Sequence, residues 1–346
     1  MRATLLLNPD SGDCEPDGGQ IPKIRAGLGG MGDTLKVVQI TPESSVAGLA
    51  REALAEGAEA VIVGGGDGTV SVVARELVGK NATLGILPIG TFNNIARSIG
   101  VLGDLQGACE VIAKGVTRQI DIGMMNGSHA FFEAAGAGLD ATLFPLGEEI
   151  KSGRWSRIFS ALRLTFGYRA QPVTITLDRP IREALPPGSR QRISRRQLES
   201  RTIRRKALLV VAANGPYYGG GFTVAPDARL QDGLLTLSIY TRFSKLELAR
   251  HFWSISHGHY RYSPKIETYN AAKIVLESPA ALPVHVDGQP FERLPVTLTV
   301  APHALRVFAP ERPQARPDTD PPVALPALED DFKTKENSNG ARRSSH

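Results

Sequence analysis

The chain is poor in cysteine: Cys14 and Cys109 are the only two. They lack metal-ligand spacing and frame no disulfide scaffold, which excludes a stapled extracellular module and fits a reducing compartment. No run approaches the roughly 18 apolar residues that cross a bilayer as a helix. The apolar stretch within Met1-Arg2-Ala3-Thr4-Leu5-Leu6-Leu7-Asn8-Pro9 is too short for a signal-peptide core, so a cytoplasmic location is expected. Two nucleotide fingerprints are also missing. The run Gly64-Gly65-Gly66-Asp67-Gly68-Thr69 does not end in the Gly-Lys-Ser/Thr of a P-loop, and Thr69 stands where the dinucleotide fingerprint has its last glycine.

What is present is a globular composition in 346 residues, enough for two domains and a remainder. Up to about residue 125, β-rich runs (Ala3 to Leu7, Thr34 to Ile40, Ala60 to Val63, Thr83 to Leu87) alternate with helical patterns (Ser44 to Glu56, Val70 to Val78, Leu105 to Lys114). That alternation predicts an α/β domain with a parallel sheet. Residues 126–309 read instead as successive strands, among them His129 to Ala134, Val173 to Asp178, Ala207 to Ala213, Leu234 to Tyr240, Lys273 to Glu277, Val284 to Val286 and Val296 to Val300. A mostly antiparallel, β-sandwich-like domain is expected there, interrupted by helices at Ser156 to Tyr168 and Lys245 to Ser254. Leu305 to Phe308 reads as a last strand of either domain. Residues 310–346, rich in Pro, Ser and charge, read as a disordered tail.

Three loops follow apolar strands: Asn8-Pro9-Asp10-Ser11-Gly12, Gly64 to Thr69, and Pro88-Ile89-Gly90-Thr91-Phe92-Asn93-Asn94-Ile95-Ala96-Arg97. In an open α/β sheet all three lie at the carboxyl ends of strands, where ligands bind. Glycines there bring main-chain N–H groups to a phosphate with no Cβ in the way, while Asp67, Thr69, Thr91 and Asn93 offer oxygens and amides. A phosphate-rich ligand such as ATP is expected. An alternative task for Asp67 is to cap the helix that follows it, and Asp287 before Gly288 is also an ordinary β-turn aspartate.

The ordered set Asn8-Pro9 with Ser11-Gly12, Gly65 to Thr69, Gly90-Thr91-Phe92-Asn93 with Ala96-Arg97, Ala135-Gly136-Ala137-Gly138-Leu139-Asp140, Ala225-Pro226-Asp227-Ala228 with Asp232-Gly233, and Val286-Asp287-Gly288 resembles the diacylglycerol kinase catalytic family. Those lipid kinases are related to sphingosine kinases and more distantly to NAD kinases. The resemblance implies a nucleotide domain over residues 1–125, a β-rich lipid domain over 126–309, and ATP with Mg2+ in the cleft between them. Carried over by position, it makes Asn8, Thr41, Gly65, Gly66, Asp67, Gly68, Thr69, Ser71, Thr91 and Asn93 the nucleotide contacts, with Asp67 a magnesium or phosphate-network residue. Asp287 becomes the general base for a lipid hydroxyl, and Asp232 either a structural magnesium ligand or part of a turn.

The chain departs from the family where Gln289 replaces the Glu of Asp-Gly-Glu, and where Ser71, Val72 and Asn94 stand in positions that are commonly Asn, acidic and Asp. A less acidic site is expected, with weaker magnesium binding. The implied activity is transfer of the γ-phosphoryl group to the hydroxyl of diacylglycerol, a sphingoid base or a related lipid. The alternatives are a nucleotide- or lipid-binding protein with decayed catalysis and a soluble kinase of the NAD kinase type. Arg179 to Lys206 carries ten basic residues against Glu183 and Glu199, which reads either as a solvated insertion or as peripheral contact with the anionic inner face of a membrane. No aromatic residue interleaves with these arginines, so nucleic acid is not an expected partner. A homodimer is left open.

Overall fold

The structure, a computed structural model, describes residues 1–12, 19–101, 104–139, 141, 167–178, 182–183, 201–256, 263 and 265–311. The first part is β1 (Ala3–Leu7), α1 (Gln20–Gly27), β2 (Lys36–Gln39), α2 (Val46–Ala55), β3 (Ala60–Gly65), α3 (Asp67–Leu77), β4 (Thr83–Pro88), α4 (Asn94–Ile99) and α5 (Leu105–Ala113). Strands β2, β1, β3 and β4 lie side by side in that order, all parallel. β1 and β3 are buried along their whole length, because helices cover both faces, whereas edge strand β2 is only half-buried. With β2 on one flank of β1 and β3 on the other, the order reverses beside β1, and a crevice opens at the carboxyl ends there. Local chemistry fixes the helix starts: Ser45 accepts the Gly48 N–H at 3.1 Å, and Asp104 accepts that of Gly107 at 2.9 Å.

The remaining strands are β5 (Thr117–Met125), β6 (His129–Phe131), β7 (Ala134–Gly138), β8 (Gln171–Asp178), β9 (Arg182–Glu183), β10 (Arg201–Ala207), β11 (Leu209–Ala213), β12 (Tyr217–Tyr218), β13 (Phe222–Thr223), β14 (Leu235–Tyr240), β15 (Ile266–Ala271), β16 (Lys273–Glu277), β17 (Pro283–Val286), β18 (Gln289–Arg293) and β19 (Val296–Phe308). The parallel sheet continues through β19 into β16, β8 and β10, with β5 attached to β19 and β6 to β5, making ten strands. A second sheet has the order β18-β17-β7-β11-β14-β15-β9, antiparallel throughout. The two sheets face each other across Ile175, Leu177, Ile274, Leu276 and Leu298 on one side and Ala137, Val210, Ala212, Leu237 and Val284 on the other, all buried. This is the sandwich.

Two strand expectations are corrected. His129 to Ala134 is not one strand: it breaks at Phe132 and Glu133, where the chain leaves the first sheet for the second. Val296 to Val300 and Leu305 to Phe308 are one strand, β19, with a register shift between Ala301 and Leu305. Its first half pairs with β16 and its second half lies parallel to β4, while β5 follows it along both. Asp121, 1% exposed, holds the irregularity by accepting the His303 N–H at 2.8 Å. All but the last two residues of the expected helix Ser156 to Tyr168, most of Arg179 to Lys206 and nearly all of the tail lie outside the described residues.

Candidate active site

Helix α3 starts at Asp67, three residues before its apolar periodicity begins at Val70, because Gly66 takes an extended conformation and Asp67, Gly68 and Thr69 form the first turn. The glycine loop is therefore itself a helix N-terminus, whose first N–H groups have no partner inside the helix. The three glycine-bearing loops meet there. Asn8 donates its side-chain amide to Thr69 Oγ1 at 3.1 Å, and its backbone N–H to Gly64 O at 2.8 Å. A Cβ on Gly12 would overlap Ile89 O, and one on Gly90 would overlap the Cα of Gly66. A Cβ on Gly68 would meet nothing within 4 Å, so open space lies beside that residue. Backbone packed this closely around an open N-terminus fits a polyphosphate.

The other polar side chains of the loops hold the loops themselves. Asn93 sits in the left-handed region at φ 52°, accepts the Gly90 N–H at 3.0 Å and donates to the carbonyls of Gly90 and Pro88 at 2.6 and 3.2 Å. Asp67 accepts the N–H of Ile95 at 3.0 Å and faces those of Asn94 and Asn93, so it caps α4 rather than only its own helix. Burial lifts its carboxyl above the ordinary 3.8, against the pull of these N–H groups and of Arg97. Thr91 is exposed. Thr41, just past β2, is exposed and exchanges hydrogen bonds with Ser44.

The second sheet reaches this region through the β17–β18 hairpin. Asp287 and Gly288 have φ of 47° and 76°, the two positive values of a type I′ turn. The Asp287 side chain is 4% exposed and turns inward. It accepts the N–H groups of Phe132, Glu133 and Ala134 at 2.9–3.2 Å, the Ser71 hydroxyl at 3.2 Å and Arg75 Nη2 at 3.3 Å. Six such contacts fill the roughly four lone-pair sites of a carboxylate. Burial raises its carboxyl, and the N–H groups, Arg75 and Ser71 pull the other way. Ser71 lies one turn after Asp67 on α3, so this helix touches both aspartates.

Sequence reading missed Glu133, which lies between them. It is 6% exposed, and its Oε2 accepts the Asn94 side-chain amide at 3.0 Å and the Gly219 N–H at 2.9 Å. Burial, followed by repulsion from Asp287 and Asp67, raises its carboxyl well above the ordinary 4.5. Its other oxygen makes no hydrogen bond among the described residues. A carboxylate therefore stands beside the neutral Asn94. The missed signal was one charged residue inside the apolar run Ala130-Phe131-Phe132-Glu133-Ala134-Ala135, since an unpaired charge is rarely buried without a task.

Two candidates stand apart from this cluster. Gln289 is exposed, and its side chain makes no hydrogen bond among the described residues; it lines a separate cleft of about 390 Å³ with Arg75, His129 and Phe291. Asp232 accepts the Leu234 N–H at 3.1 Å, and Gly233, at φ 71°, donates to Asp121 at 2.7 Å, which is turn geometry. No group of three metal-ligating side chains occurs among the described residues.

Residues 2–125 match the model of the diacylglycerol kinase catalytic domain, and residues 136–309 match that of the YegS C-terminal NAD kinase beta sandwich-like domain. A diacylglycerol kinase of Staphylococcus aureus (strain bovine RF122 / ET3-1) is 26% identical over 313 residues, covering 89% of this chain and 92% of that one. The diacylglycerol kinase of strain JH9 is 27% identical over 265 residues, covering 75% and 78%. The crystal structure of a diacylglycerol kinase from Bacillus anthracis str. Sterne superimposes with a TM-score of 0.66 at 20% identity, covering 90% of this chain and 97% of that one.

Proposed function

Since the chain belongs to the diacylglycerol kinase family, we propose how the geometry above serves an ATP-dependent lipid kinase. The observation that carries the reading is the meeting of the Gly12, Gly66 and Gly90 loops at the α3 N-terminus, opposite a carboxylate-bearing turn of the second sheet. The N–H groups of Gly66, Gly68 and Thr69 hold the ATP phosphates, and Asn8, Asp67 and Asn93 keep those loops in place. With Thr41 on the flank beyond β2 and Thr91 exposed on the third loop, the nucleoside end lies over the carboxyl ends of β1 and β2. The acceptor is a lipid hydroxyl, that of diacylglycerol first. In-line attack on the γ-phosphoryl group needs its reactants aligned and its charge neutralised, which is mainly positioning and electrostatics.

Mg2+ supplies that neutralisation when bound. The described residues fit the triphosphate better than they fit a protein-held ion, because Asp232 is engaged in a turn and Asp67 in a helix cap. These loops would take up Mg2+ together with the nucleotide rather than hold it by themselves, in keeping with the ion's reluctance to shed water. Asp287 braces α3 against the β6–β7 connection, and Gln289 is left to the neighbouring cleft. Membrane contact falls to the basic segment, of which Arg204 and Lys206 are exposed on β10, at the edge of its sheet, while Arg205 is paired with Glu267 at 2.7 Å.

Purified protein incubated with γ-labelled ATP, magnesium and anionic vesicles containing diacylglycerol or a sphingoid base should transfer label to one of these lipids. Label appearing in none of them at any magnesium concentration, while it does appear on a soluble nucleotide acceptor, would move the chain to the NAD kinase type of reaction.

A further inference from the structure

We propose that the cleft between α3, the β5–β6 turn and the β17–β18 hairpin binds a phosphate ester, at a site separate from that of the ATP phosphates. Its polar wall is Arg75, Ser128, His129 and Gln289, with Val286 and Phe291 in its apolar lining. No residue of the three glycine-bearing loops lines it. Arg75 comes eight residues after Asp67 in α3, which at the helical rise sets the two about 12 Å apart along the axis. A volume of about 390 Å³ is that of a site for a small molecule or a headgroup.

Hydrogen bonds already made hold this wall in shape and leave its outer groups unengaged. Arg75 Nε donates to Ala130 O at 3.0 Å and Nη2 to Asp287 at 3.3 Å, so the guanidinium is fixed while Nη1 makes no hydrogen bond among the described residues. A planar guanidinium fixed in direction is a ready partner for phosphate oxygens. Asp287 faces it from the buried side but takes its closer donors from the backbone, at 2.9–3.2 Å, so Arg75 keeps charge for an anion on the open side. The His129 ring is held at Nδ1 by Ser128 Oγ at 2.9 Å and edge-on by Phe291, with 4.6 Å between ring centroids. Its Nε2 is left for a ligand, and so is the Gln289 amide.

Gln289 sets the charge of the wall. Glu, the residue of the Asp-Gly-Glu pattern, would place a second negative charge in the same cleft as Arg75, with Asp287 already against that arginine, and would repel an anion. Glutamine keeps the size, removes the charge and supplies two N–H donors. No acidic side chain lines the cleft among the described residues. A soluble phosphate ester and a phospholipid headgroup present the same oxygens to this wall.

The test titrates full-length wild type, Gln289→Glu and His129→Ala with glycerol 3-phosphate and with short-chain phosphatidylglycerol kept monomeric, using glycerol as the neutral control. Binding is read by phosphorus NMR line broadening, or by protein signals for glycerol, with and without saturating MgADP to fill the glycine loops. Wild type should bind at least one phosphate probe and not glycerol, with MgADP making no difference. Gln289→Glu should weaken that binding at least tenfold, and His129→Ala should weaken it less; both positions are exposed, and either variant alone tests the site. An effect on phosphatidylglycerol only assigns the cleft to a phospholipid headgroup, and equal effects on both probes assign it to a soluble phosphate ester. Binding of neither probe, binding unchanged in both variants, or displacement by MgADP would overturn the proposal. None of these readouts depends on lipid phosphorylation, so failure of the kinase reading would leave the cleft still tested.

Discussion

At the scale of single residues, three neighbouring carboxylates relieve their repulsion in different ways. Asp287 is surrounded by donors, so truncation to alanine leaves three buried N–H groups and Ser71 unpaired. At about 1–3 kcal/mol for each unsatisfied group, Asp287→Ala should lose several kcal/mol, visible as a lower midpoint in urea, while Asp287→Asn loses much less. Glu133 carries the opposite signature. Its folded carboxyl titrates above the ordinary 4.5 because of burial and the two aspartates, so in the interval above 4.5 the folded state binds more protons than the unfolded one. Stability contributed at this site is therefore lost as pH rises through that interval, and below it the group is neutral in both states. Glu133→Gln should match wild type in Tm in acid and exceed it at neutral pH. A calorimetric pH series in which the two curves run parallel would contradict this. Asp67 and Asp287 were legible because each sits next to a glycine in a turn. Glu133 carries no such mark, and only its neighbours in space give it a role.

At the scale of elements, short turns decide where the chemistry stands. Gly90 packs so tightly on Gly66 that a Cβ there would overlap the Gly66 Cα, so Gly90→Ala must push the β3–α3 and β4–α4 connections apart. MgATP affinity measured by titration calorimetry should fall at least tenfold, with thermal stability changing less than affinity. In the β17–β18 hairpin, Gly288 at φ 76° has a conformation that costs an L-residue about 1–2 kcal/mol. Gly288→Ala should lose that much stability in denaturant titration, and it should lower activity by shifting Asp287 against α3. The parallel strands were readable as unbroken apolar runs because they are buried on both faces. β5 and β15 were not, because Arg118, Asp121, Glu267 and Asn270 interrupt their apolar patterns. Asp121 in β5 accepts N–H groups from His303 and Gly233, 182 and 112 residues away.

At the scale of the whole molecule, β19 joins the parallel sheet to the sandwich, lying beside β4 and β16 and along all of β5. A chain ending at residue 125 would leave β4 and β5 without that partner and expose buried Leu305, Val307 and Phe308 contacts of the first core. Such a fragment should show no cooperative calorimetric transition, whereas the full chain should melt cooperatively. The sequence by itself determined the alternating strands and helices, the change to successive strands, and the three glycine loops, since periodicity and the lack of a Cβ act over a few residues. Only the tertiary structure decided that the last strand returns to the first sheet, that Asp287 is saturated with donors, and that Glu133 lies between two aspartates with one oxygen free. Those facts depend on hydrogen bonds and burial between segments dozens to hundreds of positions apart, and such pairings leave no local pattern in the chain.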